Sequence, residues 1–214
     1  MELKSHRYGS LTRRVASALC AGAFALALVS SPARADTLVE PTAVVHELVS
    51  GALALLGNHE ITTEARERKF RVLLERNFDM PRITHFVLNR YWNRASDEER
   101  NAFGDLFEEW IVRIYARGFT DFRGETVKVT GYRLSRENYI IVSTEIDHPQ
   151  GGTPDRVDWM LRRDGNGFKI LDVEVSGISL VMTARDEILS TIDQSGGTVS
   201  GVNNALKQML ASES

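Results

Sequence analysis

The spacing of apolar residues changes at Gly124, and this change limits the fold classes open to the chain. Before Gly124 apolar residues recur every three or four positions, as on one face of an α-helix, whereas after it they alternate with polar residues, as in a half-buried strand. The clearest helix starts at a capping box formed by Ser96 and Glu99. Its apolar face consists of Phe103, Leu106, Phe107, Trp110, Ile111, Ile114 and Tyr115. We therefore expect a helical N-terminal half that ends at about residue 124.

Three further helices are predicted upstream of residue 96. The first covers Pro41 to Leu56, and its proline suits the first helical turn. The second opens after Thr63, and the third follows the segment 79–81, because Pro81 disfavours helical backbone at the residue before it. The third helix carries Ile83, Phe86, Val87 and Tyr91 on its apolar side.

Four strands are predicted in the segment 125–176. The sequence Asp164-Gly165-Asn166-Gly167 is typical of a hairpin turn between the last two. Because consecutive strands with short connections form an antiparallel meander, the predicted class is α+β. The strands cover residues 127–130, 139–146, 157–162 and 168–175.

The C-terminal segment 179–212 is expected to add two short helices. They lie around residues 185–192 and 199–210, separated by a break at 195–197. Ser179 is interpreted as a helix cap.

Residues 1–35 have the composition of a removable export signal. Four basic residues precede an uncharged run from Val15 to Val29, and Ala33 and Ala35 supply the small residues that a signal peptidase reads. The run is about fifteen residues long, shorter than the roughly twenty that a membrane-spanning helix needs. We expect cleavage before Asp36, so that residues 36–214 form one domain outside the cytoplasm.

Charge and cysteine content narrow the function classes. Cys20 is the only cysteine and lies in the export signal, so the remaining chain is expected to have no disulfide and no thiol chemistry. Removing the signal leaves 21 Lys and Arg against 28 Asp and Glu, a net charge of about −7. A net negative charge argues against binding to nucleic acid and against adhesion to anionic lipid surfaces.

No metal or cofactor site is predicted from the histidines, which are scattered and show no metal-binding spacing. Those after the export signal are His46, His59, His85 and His148. The sequence leaves open a catalytic role for the carboxylates of Asp158 and Asp172, which lie inside predicted strands. Curved sheets wrapped by helices can host isomerases in which a buried carboxylate moves a proton. The alternative is that these carboxylates face solvent, since Asp158 alternates with two apolar neighbours.

Large apolar side chains are plentiful on both the predicted helices and the predicted strands. They could fill a core or wall a cavity, and periodicity does not separate the two. This choice decides between a packed domain and a binding protein.

Three stretches resemble the MlaC, or toluene-tolerance, family of periplasmic phospholipid-binding proteins of Gram-negative bacteria. They are the stretches Asp79 to Arg100, Phe107 to Glu125 and Asp172 to Glu187. The third is the most specific, because a strand ends there in a Glu-x-x-Gly-x-Ser turn that leads into a helix. The resemblance extends from about Pro41 to Leu210. Asn89 stands where many members have glycine, and asparagine tolerates left-handed backbone well enough for the turn to survive.

The resemblance implies a four-stranded twisted antiparallel sheet cupped by about six to seven helices around an apolar pocket, similar to the nuclear-transport-factor-two superfamily. It implies a periplasmic carrier of phospholipid, not an enzyme, that takes both acyl chains into the pocket. Its expected partners are an outer-membrane lipoprotein complex and an inner-membrane ABC lipid transporter, a system that maintains outer-membrane lipid asymmetry.

Eight side chains are expected to contact the acyl chains in this interpretation. They are Phe86, Phe103, Phe107, Ile111, Ile140, Val142, Trp159 and Leu161. Two alternatives keep the same residues: a hopanoid-associated relative that binds a triterpenoid, and a periplasmic adaptor with a filled core.

We predict that the exported protein begins at Asp36. N-terminal sequencing of protein recovered from the periplasm measures this directly. Replacing Ala35 by leucine removes one of the small residues at the cleavage site, so this variant should remain largely uncleaved. An intact N-terminus in the unaltered protein would contradict the prediction.

Overall fold

The structure is a computed structural model that describes residues 40–58, 60–118, 123–135 and 137–212. The expected export signal, residues 1–35, lies outside these residues. Over the described part of the chain, six α-helices and one five-stranded antiparallel sheet form the α+β fold that the sequence predicts.

The helices agree closely with the predicted ones. Before α4, Ser96 and Glu99 exchange the two hydrogen bonds of the capping box, at 2.9 and 3.2 Å. The helix predicted around residues 185–192 starts earlier, at Leu180. Ser179 Oγ accepts the Met182 N–H and caps it there. The helices are α1 (Pro41–Leu56), α2 (Thr63–Asn77), α3 (Met80–Leu88), α4 (Asp97–Gly118), α5 (Leu180–Gln194) and α6 (Val199–Ser212), with a 3₁₀ helix (Asn89–Arg94) before α4.

Asn89 ends α3 through its backbone conformation. Its φ of 49° and ψ of −125° lie in a region that favours glycine and strains other residues. The chain turns there into the 3₁₀ helix, so Tyr91 does not belong to α3 as predicted. Instead Tyr91 is buried and its hydroxyl donates to Asp193 on α5 at 2.8 Å.

The sheet has five strands, so the predicted number of four is wrong. The additional strand, β5, is two residues long and pairs with the end of β4, which makes it too short to show an alternating pattern. The strands follow the order β1-β2-β3-β4-β5, and all neighbours are antiparallel. They are β1 (Thr126–Leu134), β2 (Ile140–Asp147), β3 (Asp155–Asp164), β4 (Gly167–Val175) and β5 (Ile178–Ser179).

Buried apolar side chains form two clusters. The helical cluster lies among α2 to α6 and includes Phe103 and Leu206, both almost completely buried. The sheet cluster lies between α1 and the inner face of the sheet and includes Val45 and Leu161. Phe78, at the end of α2, packs against both clusters.

The junction between α2 and α3 attaches the helices to the sheet. Phe78 forms an isolated bridge with Ile170 of β4, and the Asp79 N–H donates to the Ile170 carbonyl at 2.9 Å. The Asp79 carboxylate, 7% exposed, pairs with Arg162 of β3. Lys169 Nζ donates to the carbonyls of Glu75 and Arg76 in the last turn of α2, at 3.0 and 2.6 Å. Both layers are therefore held together at this end of the molecule.

The Asp79 ion pair predicts a large stability effect. Asp79→Asn keeps a good helix cap but leaves the Arg162 guanidinium without its buried partner. Because hydrogen bonds to charged groups contribute about 1.5–3 kcal/mol and Arg162 keeps its pair with Asp164, we expect a loss of about 2 kcal/mol in the free energy of unfolding. Asp164→Asn removes the more exposed partner of the same arginine and should cost less than about 1 kcal/mol. Urea denaturation compares the two, and equal losses would contradict this account of the junction.

Candidate functional site

A cavity of about 490 Å³ lies between the helical cluster and the sheet cluster. Its size is in the range of small-molecule pockets. The helices contribute Leu48, Val49, Ala52, Leu53, Leu56, Phe70, Leu73, Leu74, Met80, Ile83, Phe107, Ile111, Tyr115, Leu180, Val181 and Ala184 to its wall. The sheet and the loops contribute Phe78, Glu125, Val127, Thr144, Ile146, His148, Asp155, Val157, Trp159 and Val173.

Strand alternation builds the sheet side of this wall. Val157 and Trp159 line the cavity, while Asp158 between them faces the outer side of the sheet, because successive residues of a strand point to opposite faces. On β2, Thr144 lies opposite Val157 in the antiparallel register and shares its face. The inner face of the sheet therefore supplies mostly apolar surface.

The polar atoms deep in this wall satisfy one another. The Trp159 indole N–H donates to Thr144 Oγ1 at 3.0 Å, and the Thr144 hydroxyl, completely buried, donates to the Val157 carbonyl at 3.2 Å. Because the indole N–H and the threonine hydroxyl are already paired, neither is a free donor for a polar ligand. This part of the cavity suits hydrocarbon.

Tyr115 on α4 is the one phenol among the described lining residues. Burial raises the pKa of Tyr115, and the carboxylates of Glu187 and Asp172 raise it further. The phenol is therefore neutral at physiological pH and adds no charge to the cavity.

A polar rim borders the cavity at one end of the strands β1 to β3. It is formed by Glu125, His148 and Asp155. These residues lie where β1 begins, β2 ends and β3 begins, which meet because the strands are antiparallel neighbours. The side chains of His148 and Asp155 are 36% and 49% exposed, and their ring nitrogen and carboxylate are 3.0 Å apart. The cavity thus meets solvent at this rim.

Three of the eight side chains expected from the sequence line the cavity: Phe107, Ile111 and Trp159. Phe86 is 42% exposed, and its ring lies 4.9 Å from the Arg185 guanidinium. The remaining four are buried in the clusters behind the wall. They are Phe103 in the helical cluster and Ile140, Val142 and Leu161 in the sheet cluster.

Much of the wall comes from α1 and α2, which the expected set did not include. The C-terminal half of α1 turns Ala52, Leu53 and Leu56 toward the cavity, and α2 adds Leu73 and Leu74. One signal was available: the apolar face of α1 continues past its middle to its last residue. No pattern in the sequence shows where that face leaves the packed core.

The two carboxylates considered for an isomerase are not among the cavity-lining residues. Burial acts to raise the pKa of Asp158, but hydrogen bonds from Ser143 and Arg156 outweigh it, so this pKa is lowered. Asp172 accepts the Ser179 hydroxyl at 2.5 Å and the Val181 N–H at 3.1 Å. Asp172 thereby positions the start of α5.

Within the described ranges, no three histidine, cysteine or acidic side chains come together as metal ligands would. His59 lies outside those ranges. In the same part of the chain, no helix combines the length and the apolar character needed to cross a bilayer.

The Thr144–Trp159 hydrogen bond predicts a measurable coupling. Thr144→Val removes the acceptor of the indole N–H, so the loss of unfolding free energy should be about 1 kcal/mol larger in the native background than in a Trp159→Phe background. A double-mutant cycle measured by urea denaturation gives this difference. Additive effects of the two substitutions would show that this hydrogen bond does not contribute to the free energy of unfolding.

Comparison with known proteins places this chain in a family. The chain is similar to the solved structure of a phospholipid-binding protein from Ralstonia solanacearum in complex with a phospholipid: the two are 23% identical, with a TM-score of 0.68, and the match covers 81% of this chain and 98% of that chain. At this identity the likeness shows a shared fold. A family model described as MlaC protein matches residues 47–208, more than half of the sequence. The chain therefore belongs to the MlaC family.

Proposed function

We propose that this protein binds a phospholipid and encloses its acyl chains in the cavity between the helical and sheet clusters. The observation that carries the proposal is the wall itself, which is mostly apolar on both sides and in which the Thr144 hydroxyl and the Trp159 indole are already hydrogen-bonded. The phospholipid in the Ralstonia solanacearum protein supports the same ligand class here.

The energetics explain why such a ligand needs an enclosed site. Each CH₂ group transferred from water to an apolar site gains about 0.8 kcal/mol, so two acyl chains of about fifteen CH₂ groups each represent roughly 24 kcal/mol. A carrier that left the chains in water would lose most of that free energy. The contacting residues we propose are therefore the wall residues, including Leu53, Val157 and Trp159, together with Phe107 and Ile111.

We further propose that the protein acts in the periplasm as the diffusing component of an ABC-type lipid transport system. Its partners would be an outer-membrane lipoprotein complex and an inner-membrane ABC lipid transporter. Support comes from membership of the MlaC family and from the export signal expected at residues 1–35. Because the cavity replaces one hydrocarbon environment with another, the partners would supply the direction of transport. We also propose that the fold is related to the nuclear-transport-factor-two superfamily.

The alternatives differ in what the cavity should contain. A hopanoid-associated relative would hold a rigid triterpenoid, and an adaptor with a filled core would hold nothing. The cavity of about 490 Å³ favours a ligand over a filled core. The two carboxylates considered for an isomerase, Asp158 and Asp172, line no part of the cavity. The carboxylates that do line it, Glu125 and Asp155, lie at the rim, where the cavity meets solvent.

Native mass spectrometry of protein purified from a periplasmic extract separates these alternatives. We expect one diacyl phospholipid per chain. Ala52→Trp places an indole inside the cavity and should reduce lipid occupancy at least tenfold, because the added ring takes the space of an acyl chain. Ala54→Trp, on the exposed side of the same helix, is the matched control and should retain full occupancy.

Other outcomes would overturn the proposal. A bound triterpenoid would assign the protein to the hopanoid-associated class, and a folded but empty protein would favour the adaptor. Equal lipid occupancy in the Ala52→Trp and Ala54→Trp variants, both folded by circular dichroism, would place the lipid elsewhere.

A further inference from the structure

The carboxylates of the rim are available for an external partner. Glu125 Oε2 accepts the Arg123 N–H at 2.7 Å, and hydrogen bonds from the backbone N–H groups of Arg123 and of Glu125 itself lower the pKa of Glu125. Asp155 accepts the Ser176 hydroxyl at 3.1 Å and contacts the His148 ring nitrogen at 3.0 Å. Among the residues that the structure describes, neither carboxylate forms an ion pair with arginine or lysine.

The rim is also where a headgroup would lie if the acyl chains fill the cavity. The deep wall offers hydrocarbon and paired polar groups, so the charged part of a phospholipid has to remain where the cavity meets solvent. The described lining residues include two carboxylates and one imidazole but no arginine or lysine. Arg123 lies outside the lining, but its charge is close enough to help lower the pKa of Glu125. Among the lining residues themselves, the two carboxylates are the charged groups that a ligand at this rim meets.

This surface discriminates between headgroups by their terminal group. Phosphatidylethanolamine and phosphatidylglycerol share the phosphodiester, so contacts with the phosphate do not distinguish them. Phosphatidylethanolamine adds a primary ammonium, whereas phosphatidylglycerol adds a neutral diol and keeps a net negative charge. Carboxylates at the rim attract the ammonium and repel a lipid with net negative charge.

We propose that Glu125 and Asp155 give the protein a preference for phospholipids whose headgroup ends in a primary ammonium, over phosphatidylglycerol with the same acyl chains. The inference rests on the phospholipid-binding function proposed above and adds a headgroup class to it. An ammonium within reach of both carboxylates would form two partly exposed ion pairs. From the energies of such pairs we expect a preference of about fivefold.

The test offers delipidated protein equimolar phosphatidylethanolamine and phosphatidylglycerol in vesicles, with identical acyl chains in both lipids. The bound lipids are then counted by native mass spectrometry. We expect about five phosphatidylethanolamine molecules for each phosphatidylglycerol. Because salt screens partly exposed charges, the preference of the unaltered protein should shrink between about 20 mM and 500 mM salt.

Three variants assign the preference to the rim. Glu125→Gln combined with Asp155→Asn should lose the preference, so that the two lipids it binds are in the ratio present in the vesicles. Glu125→Lys should move the ratio toward phosphatidylglycerol. Glu174→Gln removes a carboxylate from the outer face of the sheet, opposite the cavity, and should leave the preference unchanged.

The outcomes separate this inference from the function on which it rests. Lipid bound in the vesicle ratio, or an excess of phosphatidylglycerol, would overturn the headgroup preference and leave phospholipid binding intact. A preference that persists in the doubly substituted protein would show that the rim does not cause it. Protein that binds neither lipid would overturn both proposals.

Discussion

The attachment of the α2–α3 junction to the sheet determines the relative position of the helical layer and the sheet. Phe78 and Asp79 provide it, through a backbone bridge to Ile170 and an ion pair with Arg162. A buried carboxylate needs such a partner, since an unpaired charge in the interior is strongly destabilising. The junction therefore ties α2 and α3 to β3 and β4 at a defined distance.

The cavity follows from this arrangement. With the junction held to the sheet, the helical cluster and the sheet cluster pack within themselves and leave about 490 Å³ between them. An apolar void of that size lacks the contacts that stabilise a close-packed interior. A hydrocarbon ligand restores those contacts. It can leave without breaking the hydrogen bonds of Thr144 and Trp159, because these side chains bond within the wall. This property fits the carrier role that we propose.

The sequence predicts the elements better than it predicts the wall. The period of α4 and its capping box, and the alternation in β3, are local signals, and the structure contains both elements. Strand β5 was missed because two residues show no period. For the site, Val142 and Trp159 are register partners on the same face, yet Val142 is completely buried and Trp159 lines the cavity. Depth along a shared face depends on where α1 covers the sheet, which is a tertiary property.

The position of the acyl chains between the two clusters can be tested by NMR. The experiment uses a phospholipid with a spin label on one acyl chain and measures the broadening of methyl resonances. If the acyl chains lie there, the methyl resonances of Leu53, Ile146 and Val157, which line the cavity, should be strongly broadened. The methyl groups of Val202 and Leu206, within the helical cluster, should be broadened much less. Broadening confined to exposed apolar residues such as Leu134 and Ile178, with the cavity methyl groups unaffected, would contradict this position of the acyl chains.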